Sequence, residues 1–181
     1  MKLPRTITHD VRLSGARGLL DEFLEQLSPL AARVECLLVQ LPPSLELDAR
    51  VARRFLGLLR ERYEGGIALE PRHASWFTPA ADALLEAHEV ARVAADPPRA
   101  ANGMEPGGWK GLAYFRLHGS PRVYYSSYDD PFIEGIAQRL RALEGRRVPC
   151  WCIFDNTTLG AGTANALALM ERLAAKGRAG T

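Results

Sequence analysis

Acidic, basic and aromatic side chains crowd together after one of the short apolar runs of this sequence. The segment Glu70 to Trp76 (EPRHASW) places a carboxylate, a guanidinium, an imidazole, a hydroxyl and an indole within seven residues. Glu70 and Arg72 share a face of an extended chain, where the arginine would hold the glutamate ionised. This favours a binding or metal-ligand role for Glu70 over that of a general acid. His73 either caps a helix or contacts Glu70, and Trp76 is either a stacking platform or a core residue.

A second pair, Arg116 and His118, projects from one face of a predicted strand, with Leu117 on the other face. The guanidinium offers a planar fork of donors and the imidazole exchanges a proton near neutral pH, so the pair suits an oxyanion. The structural alternative is a buried arginine paired with a carboxylate such as Glu70 or Asp96. We favour the functional interpretation, because a strand end is a costly place to bury a charge without use.

Polar residues stand at the end of every predicted strand. They are Gln40, Glu70, Asp96, Arg116 with His118, and Asp155 with Asn156 and Thr157. The carboxyl ends of parallel strands in α/β proteins face the binding crevice. We therefore expect these side chains, which are distant in sequence, to converge on one site.

The elements that would position these side chains alternate between strand and helix. Short apolar runs predict five strands, at Glu35 to Gln40, Ile67 to Glu70, Val90 to Ala94, Leu112 to His118 and Cys150 to Phe154. Between the strands, apolar residues recur at intervals of three and four, which is the period of a helix covering a sheet.

The helical stripes include Leu19 to Leu27, Val51 to Leu59, and Leu167, Met170 and Leu173 after Gly160. Thr78 and Pro79 open a further helix as side-chain cap and first-turn proline. The segment Pro97 to Lys110 is predicted to be a loop. This alternation predicts an α/β fold with parallel strands.

Composition narrows the class of protein. The chain has 181 residues, of which 47% are hydrophobic and 24% charged, values that argue against disorder, coiled coils and disulfide scaffolds. The net charge of +2 is too small for the overall charge to indicate nucleic acid or a membrane as a necessary partner. Cys36, Cys150 and Cys152 are interpreted as buried structural thiols. Because no apolar run could span a bilayer and no leader pattern is present, we expect a cytoplasmic protein with no membrane partner.

Other chemistries find weaker support. His9, His73, His118, Glu70 and Asp96 could supply metal ligands, but no fixed ligand spacing occurs, so no metal is assigned and the cofactor is left unknown. A GxSxG elbow is absent, and Gly160 to Gly162 lacks the lysine of a phosphate-binding loop. Tyr124, Tyr125 and Tyr128 follow Arg122, where they could stack nucleic-acid bases or anchor a loop.

Six segments occur in order from Lys2 to about Leu169: KLPRTITHD, LLVQLPPS, ALEPRHASW, VAADPP, YFRLHGS with YYSSYDD, and IFDNTTLGAGTANAL. Together they resemble the YecE-like family, also called domain of unknown function 72. The resemblance implies a TIM-barrel-like fold with polar residues at the carboxyl-end crevice. The implied site residues are Lys2, Thr8, His9, Gln40, Glu70, Arg72, His73, Trp76, Asp96, Arg116, His118 and Asn156.

Against that pattern, two βα units normally precede the KLPRTITH segment, so five to six of eight strands are expected here. We predict one partial TIM-barrel-like domain over residues 1–175, incomplete at the N-terminus, and a disordered tail over 176–181. Open barrel edges would favour self-association.

Three functions are carried forward. The first is an enzyme that acts on a small anionic or phosphorylated substrate by hydrolytic or lyase chemistry. In this enzyme Lys2, Arg72 and Arg116 would bind the anion oxygens. Glu70 or His118 would carry a proton, and His9 is the third catalytic candidate. The second is nucleic-acid binding or cleavage, using the same arginines with Trp76 and the tyrosine loop. The third is an inactive, N-terminally truncated family member.

Overall fold

The computed structural model describes residues 1–177 and has a mixed α/β architecture. Its strands are β1 (Cys36–Gln40), β2 (Gly66–Glu70), β3 (Val90–Arg92), β4 (Ala94–Asp96), β5 (Gly107–Gly108), β6 (Ala113–Leu117) and β7 (Cys150–Phe154). Its α-helices are α1 (Arg17–Leu27), α2 (Ala49–Arg60), α3 (Pro79–Glu86), α4 (Asp130–Gly145) and α5 (Ala161–Gly177). Short helical turns cover Thr6–Asp10, Ser28–Arg33 and Ala74–Trp76.

The strands form two sheets. One has the order β1-β2-β3-β5 and the other the order β4-β6-β7. All pairs are parallel except β3 with β5, which confirms the predicted α/β class with parallel strands. Among residues 1–177 neither sheet closes into a barrel.

The chain divides into two compact units. Unit 1 comprises Met1–Val93 with Pro106–Leu112, and unit 2 comprises Ala94–Glu105 with the chain from Ala113 onward. The prediction of one domain over residues 1–175 stays a prediction. Helix α5 continues to Gly177, and residues 178–181 of the predicted tail lie outside the described residues.

The prediction of a single strand over Val90 to Ala94 was wrong. The chain forms β3, which pairs with β2, and then β4, which pairs with β6, with Val93 between them. The predicted loop also contains β5, whose two residues are glycines. Gly108 has a φ of +60°, and its N–H donates to Asp82 Oδ1 at 2.9 Å. Because glycines carry no side-chain alternation, periodicity could not reveal this strand.

Unit 1 is built as the sequence pattern predicts. Three consecutive β2 residues from Ile67 to Leu69 are fully buried, as expected of a strand covered on both faces. Helix α2 is capped by Asp48, whose carboxylate accepts the N–H groups of Arg50 and Val51. Helix α3 is capped by the Thr78 hydroxyl, which confirms the predicted helix start.

In the last helix of unit 2, α5, the buried residues differ from the predicted apolar stripe. Leu167 and Met170 of α5 are 55% and 64% exposed, whereas Leu169 is buried. The expectation that the first two cover a sheet was therefore wrong. Ala168 and Leu173 of the same helix are partly buried against the core of unit 2, so the predicted stripe is correct for Leu173. Trp151 of β7, the edge strand of its sheet, is 37% exposed.

Candidate functional site

In unit 2 one carboxylate oxygen joins the two basic residues predicted from sequence. Arg116 Nη2 donates to Asp155 Oδ2 at 2.8 Å, and His118 Nδ1 lies 3.0 Å from the same oxygen. Arg116 stands in β6, His118 follows it, and Asp155 follows β7, the neighbouring parallel strand. Arg116 and His118 therefore meet at a strand end, with Asp155 as the shared carboxylate.

The geometry fixes how His118 faces Asp155. A carboxylate only accepts hydrogen bonds, so the His118 tautomer that is protonated at Nδ1 donates to Asp155 Oδ2. The His118 side chain is 3% exposed, and its ring meets Tyr124 edge to face at a centroid distance of 5.7 Å. The imidazole is thus held in one orientation.

Asp96 belongs to a second set of contacts in unit 2. The Tyr128 hydroxyl donates to Asp96 Oδ2 at 2.7 Å and accepts the N–H of Gly119 at 2.7 Å. Burial and the hydrogen bond to Asp96 raise the pKa of Tyr128 above its usual value. This hydroxyl ties the start and end of the Gly119 to Tyr128 loop to the end of β4.

Asn156 has a structural role in the same unit. Its Nδ2 donates to the Ser126 carbonyl and to Asn165 Oδ1, each at 2.9 Å, and the residue is fully buried. Asn165 Oδ1 also accepts the N–H of Tyr128 at 3.1 Å. The two asparagines therefore fasten the loop to α5, while the preceding residue, Asp155, turns toward Arg116.

In unit 1 Glu70 and Arg72 form an ion pair. Arg72 Nη2 and Nε lie 2.8 and 2.9 Å from Glu70 Oε1, and the glutamate side chain is 1% exposed. Glu70 is aligned in register with Gln40, so the ends of β2 and β1 bring the two together. Thus Glu70 is a buried carboxylate paired with a cation.

The N-terminal residues Lys2 and His9 belong to the same unit. Lys2 forms an isolated parallel bridge with Leu38 of β1, and His9 lies in the Thr6–Asp10 turn with its Nδ1 2.8 Å from Thr8 Oγ1. Burial lowers the pKa of His9, and the charges of Arg5, Lys2 and Arg72 lower it further against the opposing effect of Asp10. His9 is accordingly favoured in its neutral form.

His73 and Trp76 make local contacts. His73 Nδ1 accepts the N–H of Ser75 at 3.3 Å, so the histidine caps the Ala74–Trp76 turn, and its Nε2 is 3.7 Å from Glu46 Oε1. Trp76 is 1% exposed, and its indole N–H donates to the Leu45 carbonyl at 3.0 Å. Of the two interpretations for each residue, the helix cap and the core position agree with these contacts.

Comparison with known proteins identifies the family. The family model described as "Protein of unknown function DUF72" matches residues 1–180. The chain belongs to the DUF72 family. No curated protein matches this DUF72 chain.

Two solved DUF72 proteins have similar structures. One, from Thermotoga maritima, is 26% identical with a TM-score of 0.77, over 95% of this chain and 72% of that chain. The other, from Enterococcus faecalis V583, is 20% identical with a TM-score of 0.73, over 88% of this chain and 66% of that chain.

Three polar residues outside the predicted strand-end site have defined partners in this DUF72 chain: Tyr128 and the pair Arg92 and Asp82. Asp155 was predicted to stand at a strand end, but not to be the partner of Arg116 and His118. Arg92 is 2% exposed and pairs with Asp82 at 2.8 Å, and its guanidinium lies 4.9 Å from the Phe77 ring centroid. A charged residue inside the short apolar run VARVA was the available signal for Arg92.

The structure also bears on metals, thiols and membranes. Within residues 1–177 no group of three or more His, Cys, Asp or Glu side chains comes together as metal ligands. The three cysteines are free; Cys36 is buried, as predicted, but Cys150 is exposed, because it opens the edge strand β7. No described helix is long and apolar enough to cross a bilayer.

Proposed function

We propose that this DUF72 chain binds a small anionic or phosphorylated ligand at the carboxyl ends of its strands. The observation that carries the proposal is the meeting of Arg116 and His118 on one oxygen of Asp155, directly after β6 and β7. Fixing a guanidinium and an imidazole side by side reduces the entropy that binding an oxyanion would otherwise cost.

His118 is the proposed proton carrier. Asp155 orients the ring and stabilises the imidazolium that forms when Nε2 takes a proton, the role that an aspartate has beside a catalytic histidine. Hydrolytic or lyase chemistry, in which a base removes a proton from water or from a carbon acid, would use this arrangement.

The residues of unit 1 support the same ligand class. Lys2 and Arg72 both lower the pKa of His9, which indicates a positive potential around that ring. Arg72 is at the same time bound to Glu70, so the proposed role of Glu70 is to orient Arg72 and to exchange a proton when a ligand competes for the guanidinium.

We also propose a TIM-barrel-like arrangement, a cytoplasmic location and self-association for this chain. A TIM-barrel-like arrangement is supported by parallel pairing within each unit and by the family resemblance. A cytoplasmic location is supported by three cysteines without a disulfide. Self-association is supported by the apolar edge strand β7.

Titration with inorganic phosphate and sulfate, followed by calorimetry, tests the ligand class. We expect saturable binding that weakens by about tenfold or more in Arg116→Gln, since one charge-assisted hydrogen bond is worth about 1.5–3 kcal/mol. Arg146→Gln removes the same charge from an exposed position of unit 2 and serves as the matched control. Equal isotherms for the two variants would overturn the proposal.

Nucleic-acid binding is a second candidate, favoured by the loop after β6. Arg122 lies 3.8 Å from the centroid of the Tyr125 ring, and Tyr124 is 41% exposed, so a cation and an aromatic face are both available for stacking. A single-stranded oligonucleotide should then bind with an affinity that falls steeply with salt. Absence of binding at low salt removes this candidate, and absence of both anion and oligonucleotide binding would support an inactive family member.

A further inference from the structure

A groove on unit 1, away from the strand ends, has the shape and charge of a ligand site. It has a volume of about 570 Å³ and lies between the start of α1 and the length of α2. Val51 and Leu58 supply its partly exposed apolar side chains, and Leu13 and Phe55 are buried at its base. Small-molecule sites are commonly concave and largely apolar, with volumes of about 300–1,000 Å³ and a few polar groups.

Three arginines supply the polar groups of this groove. Arg17, Arg53 and Arg54 line it, and all three are exposed. The acidic residue of the lining, Glu61, is ion-paired with Arg62 at 3.3 Å. The groove therefore combines an apolar wall with an excess of positive charge.

These arginines differ from most others in unit 1. Arg60 donates to five backbone carbonyls, Arg62 pairs with Asp21, and Arg92 pairs with Asp82. By contrast, no side-chain hydrogen bond or ion pair is found for the three groove arginines with the described residues 1–177. Their guanidinium groups are exposed at the groove, where a ligand can reach them.

We propose that the α1–α2 groove binds an organic phosphate, with the phosphoryl oxygens on Arg17, Arg53 and Arg54 and an apolar or ring portion against Val51 and Leu58. Guanidinium forks match phosphate oxygens geometrically and remain charged at every physiological pH. Inorganic phosphate alone would leave the apolar wall unused, so the groove favours an ester over the free ion. The site is separate from the proposed strand-end site and uses none of its residues.

Calorimetric titration with ADP as the probe, compared with adenosine and with pyrophosphate, tests this inference. We expect ADP to bind saturably and more tightly than either partial probe. The double variant Arg53→Gln with Arg54→Gln should weaken ADP binding by about tenfold or more. The double variant Arg33→Gln with Arg50→Gln removes two exposed arginines outside the groove and is the charge-matched control.

The outcomes separate this site from the strand-end site. ADP binding that falls in Arg53→Gln with Arg54→Gln and persists in Arg116→Gln supports the groove. Binding lost in Arg116→Gln and retained in the groove variant would overturn it and support the strand-end site instead. If both double variants lose the same amount of ADP affinity, the effect is one of general charge and the proposal is overturned. The absence of saturable ADP binding at millimolar concentration would also overturn it. Circular dichroism confirms that each variant is folded.

Discussion

Replacing Tyr128 by phenylalanine removes a single hydroxyl that two buried groups depend on. The hydroxyl donates to Asp96 Oδ2 and accepts from the Gly119 N–H, each at 2.7 Å. The ring itself keeps its contacts, because it is stacked on Phe132 at a centroid distance of 4.2 Å and meets Phe154 edge to face. Tyr128→Phe therefore tests the hydrogen bonds and leaves the packing in place.

The magnitude follows from the two lost bonds. A hydrogen bond to a charged acceptor contributes about 1.5–3 kcal/mol, and a buried N–H left without a partner costs about 1–3 kcal/mol. Since Tyr128 and Asp96 are each 8% exposed, hydrogen bonds to water can replace little of the lost free energy. We expect the free energy of unfolding to fall by about 3–4 kcal/mol, a value in the lower half of the summed range of about 2.5–6 kcal/mol.

Urea unfolding followed by circular dichroism measures this loss as a shift of the midpoint at constant slope. Tyr124→Phe makes the same chemical change at a residue that is 41% exposed and is the matched control. A loss below about 1 kcal/mol, or a loss equal to that of the control, would refute the reasoning that the hydroxyl is buried and doubly bonded.

The same variant has a pH signature. The pKa of Tyr128 is raised in the folded protein by burial and by the bond to Asp96, so the folded state holds this proton more tightly than the unfolded state. The stabilisation is complete below about pH 10, the ordinary tyrosine value, and is lost as the pH rises toward the folded-state pKa. Tyr128→Phe should lack this part of the alkaline loss, whereas Tyr124→Phe should retain it.

Three further predictions concern other parts of the chain. Asp155→Asn should weaken phosphate binding and shift the NMR signals of the His118 imidazole relative to wild type; unchanged His118 signals would contradict the assigned contact. His9 should titrate below 6.5, and Arg5→Gln should raise its midpoint, since desolvation and then the Arg5 charge lower its pKa; a midpoint insensitive to Arg5 would exclude that charge. Ile153→Lys places a charge on the edge strand β7 and should reduce self-association in sedimentation experiments, whereas the control Arg146→Gln should not. If the wild-type protein is a monomer at every concentration, β7 does not pair between copies.

Much of the local structure could be predicted from the amino-acid sequence. The strands β1, β2, β6 and β7 match predicted apolar runs to within a residue or two, because the strands of a parallel sheet are continuously apolar even where, as in β7, one of them is partly exposed. The cap at Thr78 and the face shared by Glu70 and Arg72 follow from backbone geometry over a few residues. The family resemblance was also visible, since it rests on the order of short motifs.

The partners of these side chains depended on the tertiary structure. Sequence reasoning named Glu70 or Asp96 as a carboxylate for Arg116 and did not name Asp155, which is 39 residues away and lies beside Arg116 because β7 pairs with β6. It selected Asn156 for the site, which stays a prediction; in the structure Asp155 contacts Arg116 and the following residue, Asn156, contacts Asn165. Local spacing determines which face a residue occupies, while strand order decides what lies opposite that face.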